Sequence, residues 1–65
     1  MVPHMVRKKN PLNGDWMCYI PGHPGQTYFI FGDKKSSDFV KRVNSEIDAG
    51  IIRHNKNGKV VRDKI

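Results

Sequence analysis

A single cysteine in a short chain is the feature that most limits the fold. The chain has 65 residues and Cys18 is its only cysteine, so no disulfide can form within it. A domain of this size removes only about 60% of its unfolded surface from water. Such domains usually need a disulfide, a metal, a partner subunit or very regular packing. We therefore expect a thin core, with a homodimer as the simplest additional support.

Two short runs of aromatic and β-branched residues predict a first hairpin. "WMCYI" (16–20) and "TYFIF" (27–31) flank "PGHPGQ", whose Pro-Gly pairs mark a turn. With Ile20 opposite Thr27, Trp16 and Cys18 share the helix-facing side with Phe29 and Phe31. A slip of one residue would exchange the two sides. The other side then carries a stacking or dimer face, and we favour the dimer: Met17, Tyr19, Tyr28 and Ile30.

The stretch "SSDFVKRVNSEIDAG" (36–50) predicts an amphipathic helix. Its apolar residues recur at helical spacing, at Phe39, Val40, Val43 and Ile47. Ser36 or Ser37 suits the N-cap, and Gly50 suits a left-handed stop. Lys41 and Arg42 fall on the opposite, polar side.

The C-terminal stretch "IIRHNKNGKVVRDKI" (51–65) predicts a second hairpin around Asn57-Gly58, a pair that favours a two-residue type I′ turn. This turn places Lys56 opposite Lys59 and Arg53 opposite Arg62. Like charges directly across a ladder destabilise it, so a bound anion would relieve the repulsion.

These elements predict one small α+β domain of order ββαββ, in which antiparallel hairpins pack against one helix. We assign the domain to residues 15–65 and interpret residues 1–14 as a flexible basic arm that carries Arg7, Lys8 and Lys9. Residues 1–4 have the composition of an expression remnant, with Met5 as a natural start.

Charge indicates the partner. The chain has 12 Lys and Arg residues against 6 acidic ones, a net charge of +6, and a field of this sign attracts polyanions. We expect phosphate contacts from the arm, the helix and the second hairpin. The candidate residues are Arg7, Lys8, Lys9, Lys41, Arg42, Arg53, His54, Lys56, Lys59 and Arg62.

No catalytic or metal-binding signature is visible. The sequence has no close pair of His or Cys residues of the kind that zinc sites use, and no nucleophile with an evident base and orienting group. We expect Cys18 to fill the core and His23 to lie at a loop tip. The prediction is therefore a protein without enzymatic activity, cofactor or metal site.

Hydropathy indicates a cytoplasmic protein without a membrane partner. No apolar run approaches the roughly 20 residues of a membrane span, and the N-terminal segment lacks the apolar stretch of a secretory signal. A lone thiol agrees with a reducing compartment.

The stretch "EIDAGIIRHNKNGKVVR" (46–62) resembles the last helix and wing of winged-helix DNA-binding domains. That resemblance implies DNA-backbone contacts by Arg53, Lys56 and Lys59, and places Lys41 and Arg42 near the groove. The order of basic arm, aromatic hairpin and helix is similar to the arm-type DNA-binding domains of phage integrases, which use a three-stranded sheet.

We therefore expect a small nucleic-acid-binding protein, with DNA favoured over RNA, that acts as a regulator or accessory factor of phage or mobile-element origin. The alternative is a compact interaction module or inhibitor that binds a larger acidic host protein. An exposed aromatic patch on a basic surface would suit such an interface too.

Overall fold

The computed structural model describes residues 2–63, in which three strands are followed by a helix and two further strands. The elements are β1 (Val6–Lys9), β2 (Asp15–Ile20), β3 (His23–Phe31), α1 (Asp33–Asp48), β4 (Ile52–His54) and β5 (Val60–Arg62). Strands β1, β2 and β3 form one antiparallel sheet in that order, and β4 pairs with β5 in a second. The α+β class is confirmed, and the predicted ββαββ order follows one additional strand.

The additional strand lies in the segment for which we expected a flexible arm. Residues of β1 pair with β2 from Val6 opposite Tyr19 onward, and Val2 and Met5 are only 4% and 3% exposed. The side chain of Asn44 holds this segment to the helix: its Oδ1 accepts from the Met5 N–H at 2.6 Å, and its Nδ2 donates to the Met5 carbonyl at 3.0 Å. Pro3 and His4 separate the two buried residues, so the segment has no sustained apolar periodicity that would predict their burial.

The first hairpin turns earlier than predicted. Pro21 and Gly22 form a two-residue turn that places Ile20 opposite His23, and Gly22 has the positive φ of 81° that the second turn position favours. His23 therefore begins β3 instead of lying at a loop tip. Between Cys18 and Ile20 the register shifts, because β3 has additional residues there that form a bulge.

Beyond the bulge, the predicted register is wrong by one residue. Cys18 lies opposite Tyr28, and Met17 opposite Phe29. Since successive residues of a strand point to opposite faces, this slip splits the predicted stacking or dimer face. Met17 and Tyr19 share the outer side of the sheet with Phe29 and Phe31, whereas Trp16, Cys18, Tyr28 and Ile30 share the side that faces the helix.

The helix begins before its predicted start and ends where expected. Its N-cap is Gly32, with φ 103° and no side-chain cap, so neither predicted serine caps it; Ser36 is buried within the first turn instead. At the C-terminus Gly50 has a φ of 79°. The Gly50 N–H donates to the Ile47 carbonyl and the Ile51 N–H to the Glu46 carbonyl, which is a Schellman motif.

The core lies where the first sheet, the helix and the second hairpin meet. Its buried apolar members are Val2, Met5, Cys18, Ile20, Val43, Ile47 and Val60. Phe39 and Val40 pack against it, which confirms the predicted helix stripe. Cys18 fills the core as expected, and burial raises the pKa of its thiol despite the opposing charge of Arg7. No helix among residues 2–63 is long and apolar enough to cross a membrane.

The second hairpin also differs from its predicted register. His54 lies opposite Val60, and the Asn55 N–H donates to the Lys59 carbonyl across a loop of residues 56–58. In this loop only Gly58 has a positive φ, so the predicted type I′ turn, which needs two such residues, is wrong. The Asn55 side chain stabilises the longer loop, because its Oδ1 accepts from the N–H groups of Asn57 and Lys59, both at 2.9 Å.

Candidate nucleic-acid interface

The two arginines of the second hairpin do not converge. Arg53 lies opposite Val61 and Arg62 opposite Ile52, so the arginines point to opposite faces of the ribbon. The predicted juxtaposition of Arg53 with Arg62 is therefore wrong. The repulsion between them, which we expected a bound anion to relieve, is absent from this geometry.

Both arginines instead pair with acids of the same chain. Arg53 binds Asp63 through two hydrogen bonds, Nη2 to Oδ1 at 2.8 Å and Nε to Oδ2 at 3.1 Å. The hydrogen bond and charge of Arg53 lower the pKa of the Asp63 carboxyl. Arg62 donates to Glu46 Oε2, and the Nε of Arg42 lies 4.0 Å from the other oxygen of Glu46. These cations are thus partly neutralised within the fold.

Arg7 is part of the structure that holds β1 to the helix. Its Nη1 donates to the Asp33 carboxylate at 2.7 Å, to the Asp33 carbonyl at 3.1 Å and to Ser36 Oγ at 3.0 Å. Its guanidinium carbon lies 4.0 Å from the centroid of the Trp16 ring, which is a cation–π contact. An arginine held by three partners is poorly placed to reach a phosphate.

The uncompensated positive charge lies on exposed lysines. No carboxylate among residues 2–63 is within ion-pair distance of six of them: Lys8, Lys9, Lys35, Lys41, Lys56 and Lys59. Two lie on β1, two on the helix and two at the second hairpin loop. The unpaired lysines are therefore distributed over three elements of the fold.

The outer side of the three-stranded sheet is aromatic and open. Phe29 and Phe31 are 66% and 72% exposed and lie two residues apart on β3, about 6.8 Å along the strand. Met17 and Tyr19 of β2 lie on the same side. Large exposed apolar patches on soluble domains mark interaction surfaces. We call Met17, Tyr19, Phe29 and Phe31 the aromatic face.

One lysine stands on the aromatic face. Lys8 lies directly opposite Met17, which lies opposite Phe29, so the three residues cross the sheet in one row. A shallow depression of about 220 Å³ beside this row is also lined by Lys9, Asn10 and Pro11. Lys8 and Phe29 thus line the same depression, with Met17 between them in the row.

Phe29 and Phe31 are absent from the sites predicted from sequence. The alternation in "TYFIF" separates Tyr28 and Ile30 from the two phenylalanines, but it does not say which set faces the core. The bulge in β3 decides this, and no local pattern indicates its position.

The comparisons with known proteins give no further guidance. No protein-family model matches the chain, and neither the curated proteins nor the solved structures provide a match.

Proposed function

We propose that the protein is a non-enzymatic binder of single-stranded nucleic acid, and that the aromatic face is its binding surface. The observation that carries the proposal is the exposure of Phe29 and Phe31 on one side of a sheet. Aromatic rings on an open strand surface stack with unpaired bases and tolerate any sequence, since every base has a π face.

Charge favours a polyanion over a second copy as the occupant of this face. The chain carries a net charge of +6 with His neutral, and within residues 2–63 four acids, Asp33, Asp38, Glu46 and Asp63, lie within ion-pair distance of Lys34 and of all four arginines. The excess is therefore carried by lysines, of which Lys8 stands on the face and Lys9 lies beside it. Two like copies would bring these ammonium groups together, whereas phosphates would neutralise them.

The surface proposed here replaces the one expected from sequence. The second hairpin keeps Lys56 and Lys59 at its loop, but its arginines are paired with Asp63 and Glu46. Duplex DNA would also hide its bases from exposed rings, so a single strand suits the aromatic face better than a duplex. The regulatory role, the phage or mobile-element origin and the preference for DNA stay predictions from sequence.

The test is a titration of the protein with fluorescent DNA and RNA oligonucleotides, single-stranded and duplex, at 50 and 200 mM salt. We expect tighter binding to single strands and a measurable loss of affinity at the higher salt. Replacing one ring by alanine should cost about 1–3 kcal/mol, or about 5- to 150-fold in Kd.

The matched control for these variants is Leu12→Ala, because Leu12 is 93% exposed but lies in the turn between β1 and β2. We expect Phe29→Ala and Phe31→Ala to weaken binding and Leu12→Ala to leave it unchanged. Equal affinities for all three variants would contradict the proposal. Concentration-dependent dimerisation that is lost in the phenylalanine variants, without any nucleic-acid binding, would favour the homodimer instead.

A further inference from the structure

Two histidines from different sheets meet at the edge of the core. His23 begins β3 and His54 ends β4, and their Nε2 atoms are 3.1 Å apart. Their ring centroids are 4.9 Å apart and their planes are inclined at 46°. Both residues are partly buried, and they are separated by 31 positions in sequence.

The distance between the two nitrogens suits a shared metal ion. Imidazole nitrogens bind zinc at about 2.0–2.1 Å. Two nitrogens 3.1 Å apart and each at that distance from one ion would subtend an angle of about 100°. This angle lies between those of square-planar and tetrahedral coordination, the geometries that Cu²⁺, Ni²⁺ and Zn²⁺ adopt with nitrogen ligands.

We infer that His23 and His54 form a two-histidine site for a late first-row divalent transition ion, in which Cu²⁺ binds more tightly than Zn²⁺. No group of three His, Cys, Asp or Glu side chains in the described part of the chain is arranged to hold a metal. Water would therefore complete the coordination. The ion would be exchangeable, unlike one in a closed four-ligand zinc site.

Such an ion would join the two sheets. His23 belongs to the three-stranded sheet and His54 to the β4–β5 hairpin, so a metal held by both would connect elements that the backbone ladders leave separate. Short domains without disulfides gain most from a metal of this kind. An ion bound only to the folded state stabilises it by mass action.

The test is a thermal unfolding and calorimetric titration of the metal-free full chain with Cu²⁺ and Zn²⁺. At an ion concentration 100 times Kd we expect one bound equivalent and a rise in Tm of about 10 °C or more. Loss of an outer-shell partner already weakens metal binding by about tenfold or more. His23→Gln and His54→Gln each remove a direct ligand, so each should weaken binding by more than about tenfold. Mg²⁺ should have no effect, because it prefers oxygen ligands.

The matched control is His4→Gln, since His4 is exposed and its Nε2 lies 2.6 Å from Asp48 Oδ1, whereas the Nε2 atoms of His23 and His54 contact each other. We expect this variant to bind Cu²⁺ like the unaltered chain. Absence of binding, or binding lost in His4→Gln and kept in the other two variants, would overturn the inference. Lys59 lines the same depression as His23, so Lys59→Gln should tighten binding by removing a nearby like charge.

A spectroscopic measurement on the unaltered chain keeps the inference testable if the glutamine variants fail to fold. Electron paramagnetic resonance of the Cu²⁺ complex reports the number of coordinated imidazole nitrogens. Two nitrogens would support the site, and a single nitrogen would overturn it.

Discussion

The aromatic face and the β4–β5 hairpin make opposite use of their side chains. The hairpin carries two arginines that the sequence predicts as phosphate contacts, but Arg53 is paired with Asp63 and Arg62 with Glu46. The aromatic face has little charge, yet Phe29 and Phe31 stand open to solvent without a partner in the described chain. Formal charge counted from a sequence therefore overstates the charge that the fold leaves available for binding.

Stability should depend most strongly on the strand that completes the aromatic face. β1 is held in place by residues on its N-terminal side, so Met5→Ala should destabilise the protein by about 2–5 kcal/mol, because Met5 is buried in the core. Urea denaturation measures this loss. Leu12→Ala, at an exposed position of the same segment, should stay within about 0.5 kcal/mol of the unaltered chain. Equal stabilities of Met5→Ala and Leu12→Ala would support the flexible arm that the sequence predicts for residues 1–14.

The next effect separates structural from binding cations. Arg7→Gln should lower stability by about 1–3 kcal/mol, because it removes charged hydrogen bonds to Asp33 and a cation–π contact with Trp16. Under conditions where the variant is fully folded, its affinity for a single strand should be close to that of the unaltered chain. Lys8→Gln should do the reverse, with stability kept and affinity reduced. If Arg7→Gln weakened binding more than Lys8→Gln did, the contact surface would lie on the helix-facing side of β1, where Arg7 is opposite Cys18.

A charge-matched pair of variants compares the two regions directly. Asp15 lies opposite Phe31 at the end of the aromatic face, and Asp63 pairs with Arg53 beside the hairpin. Asp15→Asn and Asp63→Asn add the same charge to the protein. We expect Asp15→Asn to tighten binding to a single strand by a few-fold at low salt, since it removes a repelling charge from the interface, and Asp63→Asn to have less effect. The opposite ranking would place the binding surface on the hairpin.

The smallest effect is the pH dependence of the Arg53–Asp63 pair. Arg53 lowers the folded-state pKa of Asp63, so the unfolded chain binds a proton at this carboxyl more readily than the folded chain does. The stabilisation is complete above the ordinary carboxyl pKa of about 3.9 and is lost as pH falls through the lowered value. In Asp63→Asn, the free energy of unfolding should therefore fall slightly less between neutral and acid pH than it does in the unaltered chain. Urea titrations at the two pH values measure this fall. An equal fall in both proteins would show that the pair contributes nothing.

The helix was predictable because its signals are local. The apolar spacing of Phe39, Val43 and Ile47, and the glycine stop at Gly50, lie within a few turns and agree with one another. The start of the helix was harder to predict, since Gly32 carries no capping side chain. The local sequence therefore specifies the C-terminal end of the helix more clearly than its N-terminal end.

Both hairpins were predicted as elements but with the wrong register. Strand faces have a period of two residues, so a slip of one moves every side chain to the other face. At Pro21-Gly22 the turn is tighter than expected, and at residues 56–58 the loop is longer because Asn55 stabilises it. The bulge in β3, beyond the turn, decides which aromatic residues are exposed.

The pairing of charged and titratable groups depends on contacts that are distant in sequence. Arg7 and Asp33 are separated by 26 positions, and His23 and His54 by 31. No motif spacing connects such residues. Composition therefore indicates an affinity for polyanions, whereas only the fold shows which cations stay available.

Backbone amide chemical-shift mapping by NMR during addition of a single-stranded oligonucleotide locates the binding surface residue by residue. We expect the largest shifts along β2 and β3, around Met17, Phe29 and Phe31, with little change in β4 and β5. Shifts concentrated at the loop between Lys56 and Lys59, with the aromatic face unaffected, would contradict the proposed function.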